Sequence, residues 1–319
     1  MREIYRRVAA GNFIMPPDFS ELVGKESADK WADNARNRLK DAVCFDVDNV
    51  NEYFYAINDQ EYWEWESDFP SMAPPFETFW MEHGAATGIR TPKGFREFDR
   101  DLYAGAVGVL FTGMTYQEAG EKVWGNLPEK SQLLAQGWVL TSQLFVLVKG
   151  TGVVMIPCAY VFNIDQFGKP FKYPMIASPF SADSMMFKLV SDSSKLIFPH
   201  ALAISFLHCK NVKTADVPDT RRPVEKRRDE RRGVDFVTFK TLQIEPMKKV
   251  LTTEGGIAQN GLKKALHICR GHFSHYSEEK PLFGKYSGQF WIPSHVRGSA
   301  ESGKVVKDYS VKAPKQTAA

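Results

Sequence analysis

Hydrophobic positions along the chain follow two different periods. In ADKWADNARNRLKDAV (28–43), Trp31, Ala35, Leu39 and Ala42 recur at three- and four-residue spacing, which predicts an amphipathic helix with Ser27 as its cap. A second short helix is predicted from Val47 to Ile57, begun by Asp46 or Asp48, so residues 1–60 read as helical throughout. EYWEWESDFPSMAPP (61–75) mixes tryptophan, acids and prolines. It reads as a loop folding its aromatics onto a core, in preference to an acidic, aromatic contact surface.

From 76 to 180 the period shortens to two. FETFWME alternates, with Phe76, Thr78 and Trp80 set against Phe79 and Met81, and LYAGAVGVLF, GWVLTSQLFVLVK and GVVMIPCAYVFNI are rich in β-branched and aromatic residues. Lys-Gly-Thr-Gly at 149–152 predicts a hairpin turn between the last two, and Asn163, Asp165 and Gly168 bracket another turn, with Asp165 in a turn-forming role. SADSMMFKLVSD (181–192) suits a helix capped by Ser181 or Asp183. HALAISFLHCKNV suits a buried helix with Pro199 in its first turn, although a strand fits such a short apolar run nearly as well.

Composition shifts at 214–235, TADVPDTRRPVEKRRDERRGVD. Seven Lys/Arg and three acids occupy the thirteen residues from Arg221 to Gly233. Two readings stand equal: a phosphate-contacting arm, or a solvated linker or helix held by its own Glu and Arg pairs. FVTFKTLQI then alternates as a strand, and EGGIAQNG reads as a turn. ALHICRGHFSHY and GQFWIPSHVRG complete the pattern as antiparallel partners around SEEKPLFGKYS. The expected class is α+β: N-terminal helices, a central mostly antiparallel sheet, and a C-terminal β-hairpin that joins that sheet. The expected regions are a helical segment (1–69), an α+β core (70–213), a basic linker or arm (214–235), a β-rich region (236–312) and a tail (313–319).

The chain of 319 residues, 43% hydrophobic and 25% charged, is long enough to bury a sizeable core, and its net charge of +3 does not by itself demand a polyanion. Cys44, Cys158, Cys209 and Cys269 form no CxxC pair, and no apolar run reaches the about 20 residues that span a bilayer. The N-terminus lacks the apolar core of a signal peptide. The expectation is a cytoplasmic protein with reduced thiols and no membrane partner. No P-loop, dinucleotide-binding glycine motif or zinc-ribbon spacing occurs, so no cofactor is expected.

Chemistry concentrates in 262–298, which holds four of the seven histidines. His272 and His295 form a candidate acid–base pair, with Arg270 and Arg297 as a phosphate clamp and Tyr276 assisting, as metal-independent cleavage of RNA requires. The reading set ahead of that one is a module that acts on or binds RNA or DNA through this basic His/Arg-rich stretch. There Lys280 and Lys285, together with Arg221, Arg222, Arg227 and Arg228 of the basic segment, contact phosphates while aromatics stack on bases. A third use, as a folding element, has glycine permitting a tight approach and His and Arg satisfying buried acceptors. His208, Cys209, His267, Cys269, His272 and His275 are suitable zinc ligands, but their spacing matches no metal-binding loop and no metal is assigned.

HICRGHFSHYSEEKPLFGKYSGQFWIPSHVRG, followed by GKVVKDYSV at 303–311, resembles the C-terminal signature of uncharacterised phage and bacterial mobile-element proteins. That signature reads His-x-x-Arg-Gly-His-Phe, Pro-Leu-Phe-Gly, Trp-x-Pro-x-His-x-Arg-Gly. It is matched here by His267, Arg270, Gly271, His272 and Phe273, by the run from Pro281 to Gly284, and by Trp291, Pro293, His295, Arg297 and Gly298. APPFETFWME (73–82) is similar to a second shared piece. The resemblance implies a shared structural unit and carries no mechanism.

Overall fold

A computed structural model describes residues 2–51, 69–84, 88–91, 94–97, 106–119, 137–171, 174–177, 180, 191, 193–244, 265–269, 272–292, 295–297 and 299–304. The chain divides into two compact units, Met1–Gln243 and Ile244–Ala319. The expected helix over 181–192 and the turn at 254–261 lie outside the described residues, as does most of 61–75.

The first unit is built on an eight-stranded sheet in the order β8-β7-β6-β5-β2-β1-β10-β9. Its strands are β1 (Val43–Asp46), β2 (Thr78–His83), β5 (Val107–Thr115), β6 (Trp138–Val148), β7 (Gly152–Ile164), β8 (Met175–Ala177), β9 (Val212–Asp216) and β10 (Phe239–Ile244). A small antiparallel hairpin, β3 (Gly88–Thr91) with β4 (Gly94–Glu97), stands apart from this sheet. β2, β5, β6, β7 and β8 pair antiparallel in turn, as their alternation and short turns predict. The β6–β7 turn passes through Gly150 at φ +83, a conformation that favours glycine. In the next turn Asp165 Oδ1 accepts the backbone N–H groups of Phe167 and Lys169, the local role expected of it.

β1 corrects the reading of residues 1–60 as helical. It lies between β2 and β10 and is parallel to both, with Cys44 opposite Trp80 on one side and Phe239 on the other. Four residues, VCFD, are too few to display a period, and parallel partners are distant in sequence, so local pattern carries no trace of the strand. The helix before it, α3 (Lys25–Lys40), begins three residues earlier than expected, with Gly24 at the cap and Ser27 inside the first turn. Of the helix expected over 47–57, residues 48–51 are helical and the remainder lies outside the described residues.

Both faces of the sheet are covered. Trp80 on β2 meets Tyr5 of α1 (Glu3–Ala9) edge-on, with ring centroids 6.0 Å apart, and packs with Phe145 of β6 at 5.6 Å. A Cβ at Gly108 of β5 would overlap the Trp80 ring, which is why a strand interior carries glycine there. The adjacent Phe79 points to the opposite face and stacks on Phe111 at 4.8 Å. On that side lies α5 (Phe198–Leu207), the predicted apolar helix with Pro199 in its first turn. It carries His200, whose ring lies 5.0 Å from that of His83. A short helix, α4 (Tyr116–Ala119), follows β5. α2 (Pro17–Val23) packs on α3 through Phe19 and Trp31.

In the second unit β12 (His272–Tyr276) and β13 (Gly288–Ile292) pair antiparallel, and β11 (Ala265–Cys269) pairs with β14 (His295–Arg297) and β15 (Ser299–Lys304). This is the predicted C-terminal hairpin. It forms its own two- and three-stranded sheets, where the sequence reading had it extend the central sheet. The protein is therefore α+β, with its His/Arg-rich signature on a separate set of strands. Among the described residues no helix is long and apolar enough to cross a membrane.

Candidate nucleic-acid interface

The basic segment folds as a helix, α6 (Pro223–Arg231), for reasons visible in its ends. Pro223 occupies the first turn, where its missing N–H costs nothing. The Arg222 backbone N–H donates to Glu225 Oε2 at 2.9 Å, closing a capping box. Those contacts also hold the Glu225 carboxyl below its usual range. At the other end Gly233 takes φ +67, and the N–H of Val234 returns to the Asp229 carbonyl at 3.0 Å.

Charge on this helix is sorted by direction. Asp229 is 3% exposed and faces inward, accepting Arg6 Nη2 at 2.8 Å and Arg221 Nη1 at 2.9 Å. Burial acts to raise the Asp229 carboxyl, but the two guanidinium groups outweigh it and hold it low. Asp219 is taken up as well: Arg221 Nε and Nη2 donate to its two oxygens at 2.8 and 3.0 Å, and Lys226 Nζ lies 3.1 Å away. The Arg221 guanidinium accordingly holds Asp219 far below the usual carboxylate range. What remains outside is cationic. Val224, Arg227, Arg228 and Arg231 fall at helical spacing on one exposed stripe, flanked by exposed Arg222 and Arg232, with Glu230 the exposed acid of the helix.

Of the four arginines expected here, Arg227 and Arg228 are exposed and available to an anion, and Arg222 is exposed with its Nη2 3.4 Å from Glu225 Oε1. Arg221 is not placed for that role. Its side chain is 10% exposed, and Nε, Nη1 and Nη2 all serve carboxylates of the same unit. Arg231 and Arg232 join the outward set; their spacing from Arg227 and Arg228 is the signal that marks them. Arg221 has a second contact, its Cζ lying 5.3 Å from the ring centroid of Phe236. Phe236 is itself 59% exposed, beside a depression of about 350 Å³ lined also by Asp219, Lys226, Glu230 and Val234.

The signature residues lie in the second unit. Cys269 lies opposite His295 in the β11–β14 ladder and His272 lies opposite Ile292 in the β12–β13 ladder, so the two candidate histidines fall in separate sheets and are not paired with each other. His267 pairs with Arg297. Arg270 lies outside the described residues. His272 and His275 are exposed, and Lys280 and Lys285 are exposed in the loop joining β12 to β13. Tyr276 is half-buried against Phe290, and Phe273 meets Trp291 edge-on at 4.7 Å directly across the ladder. Phe290 and Trp291 are buried, which makes them core of the hairpin and not stacking surfaces.

A second concentration of charge, absent from the sequence reading, sits at the ends of β1 and β2. Arg2 bridges Asp46 and Asp48. Glu82 is buried and accepts the N–H groups of Ile4 and Tyr5 at 2.9 Å and Trp80 Nε1 at 3.1 Å. Burial pushes the Glu82 carboxyl up to about 7 despite those donors, and pushes His83 down to about 4. With its donors assigned, the cluster anchors the N-terminal helix. His208 Nε2 contacts the Ala73 carbonyl oxygen at 2.8 Å, and the Cys209 thiol donates to the Ser205 carbonyl at 3.5 Å. Among the described residues no three His, Cys, Asp or Glu side chains are grouped to hold a metal ion.

The fold and surface define an α+β protein that presents one face of arginines. No family model matches the chain, and neither the curated proteins nor the solved structures provide a significant match. Its function therefore rests on geometry.

Proposed function

We propose that the protein binds nucleic acid, with the outward stripe of α6 as its phosphate-contacting face. One observation carries this reading: Asp219 and Asp229 are spent on Arg221, Lys226 and Arg6, and Glu225 on the Arg222 end of the helix, while Arg227, Arg228 and Arg231 face solvent with Glu230 as the exposed acid of the helix. That stripe keeps a net positive charge, which releases condensed counterions when it meets a phosphate backbone. In the second unit His272, His275, Lys280 and Lys285 are exposed as well, with exposed Glu278 and Glu279 among them, so the weight of the reading rests on α6. The setting we propose is cytoplasmic, supported by Cys44, Cys158 and Cys209 being buried thiols outside any disulfide. A mobile-element origin is supported by the C-terminal resemblance.

Fluorescence anisotropy against labelled oligonucleotides over a salt series tests this. Binding should weaken steeply between about 50 and 200 mM salt, and the combined R227E/R228E/R231E change should abolish it while thermal unfolding stays unchanged. Absence of binding by the wild-type protein at about 50 mM salt would refute the proposal.

A further inference from the structure

We infer that the partner is single-stranded, and that Phe236 is the platform on which an unpaired base stacks. The inference rests on the nucleic-acid reading above and narrows it to a substrate class. Phe236 lies between the end of α6 and the start of β10, where Val234 is buried but the Phe236 ring is 59% exposed. A large aromatic left in water with a guanidinium against it, on a segment whose helix also shows arginines to solvent, is a surface suited to single strands, whose bases have free π-faces; a duplex keeps its bases stacked on one another.

The ring is also held ready. Arg221 lies against Phe236 with Cζ 5.3 Å from its centroid, and three of its nitrogens are fixed by Asp219 and Asp229. That guanidinium cannot swing away to follow a phosphate, so the platform exists before the strand arrives. In the depression beside the ring Asp219 and Asp229 are already paired with Arg221, Lys226 and Arg6, which leaves Glu230 as the exposed acid of its lining and an acceptor for the amino edge of a base. The phosphates fall instead to Arg227, Arg228 and Arg231 on the outer stripe.

Anisotropy at about 50 mM salt with the whole chain tests this, using one labelled oligonucleotide alone and annealed to its complement, each as DNA and as RNA. Single strands should bind more tightly than duplexes. F236A and F236L should weaken single-strand binding by about five- to a hundredfold, the usual loss for one stacked base, and leave duplex binding unchanged. F236W should restore it. Because the ring is exposed, F236L preserves any packing that F236A loses, so a fold defect shows as a difference between the two. Equal affinity for single strands and duplexes, or indifference to F236L, overturns the stacking platform and leaves the arginine stripe standing. Failure of every nucleic acid to bind overturns both. The DNA and RNA arms identify which strand is preferred.

Discussion

The Glu82 carboxylate receives the backbone N–H of Ile4 at 2.9 Å, across 78 residues of chain. The neighbouring N–H of Tyr5 reaches its other oxygen at the same distance. The first turn of α1 is thus capped by a side chain from the middle of the sheet, where helices ordinarily use a residue at their own start. Glu82→Ala should destabilise the first unit by about 3 kcal/mol, since it orphans two backbone donors and the Trp80 Nε1–H and leaves a cavity. Glu82→Gln, which keeps an acceptor oxygen, should cost about 1 kcal/mol. Urea unfolding curves of the three proteins check the order.

Stability should pass through a maximum near pH 6.5. His83 and His200 are buried neutral: burial lowers His83 to about 4 and His200 further, so both bind protons more weakly folded than unfolded. Between pH 4 and 6.5 the unfolded chain takes up protons that the folded chain refuses, and stability falls as pH drops through this window. Glu82 opposes this, because its raised value lets the folded protein keep a proton that the unfolded chain releases between about 4.5 and 7. Two histidines against one carboxyl leave a net loss on the acid side. Above pH 6.5 the carboxyl acts alone and stability declines slightly to pH 7. Thermal melts at half-unit pH intervals should show this asymmetry, and His200→Gln should flatten its acid limb.

Removing Asp229 should cost far more than removing the arginines that α6 shows to solvent. Asp229→Ala takes the buried carboxylate from Arg6 and leaves Arg221 with Asp219 alone, a loss of about 3 kcal/mol. Arg227→Ala and Arg228→Ala should each stay within about 0.5 kcal/mol of the parent. Limited trypsin digestion gives an independent check, with cleavage in 221–232 accelerated in Asp229→Ala alone.

Thiol accessibility should report folding of the first unit. Cys44, Cys158 and Cys209 are buried and in no disulfide, and burial pushes the Cys158 thiol up to about 12, where almost no thiolate exists at neutral pH. Native protein should leave these three unmodified by Ellman's reagent, and urea should expose them together. Reaction of Cys158 at native rates would contradict the packing of β7.

Where the chain's pattern is local, it reads directly. The β6–β7 hairpin, α5 with Pro199 in its first turn, and the pairings of β11 with β14 and of β12 with β13 follow from period and turn residues. Where a feature depends on distant chain, the pattern is silent. β1 leaves no period in four residues, and its neighbours lie tens and hundreds of positions away. The hairpin's alternation predicts strands but not which sheet they enter. Arg221 shows the same limit in the site: composition counts seven cations, while only the fold reveals that this one is turned inward onto Asp219 and Asp229. Phe236 reads as one position of an alternating strand, yet β10 begins only at Phe239, and the ring is left outside.

The parallel pairing of β1 with β10 sets a timetable for synthesis. Asn49, just after β1, donates to the Leu242 carbonyl at 2.6 Å across 193 residues. At about 5–20 residues per second, β1 leaves the ribosome roughly 10–40 s before its second neighbour exists. During that interval one side of β1 presents unpaired backbone groups, the kind of edge that recruits other strands. A chain arrested before Phe239 therefore ends with its sheet open along β1, and solubility is the first property such a truncation loses.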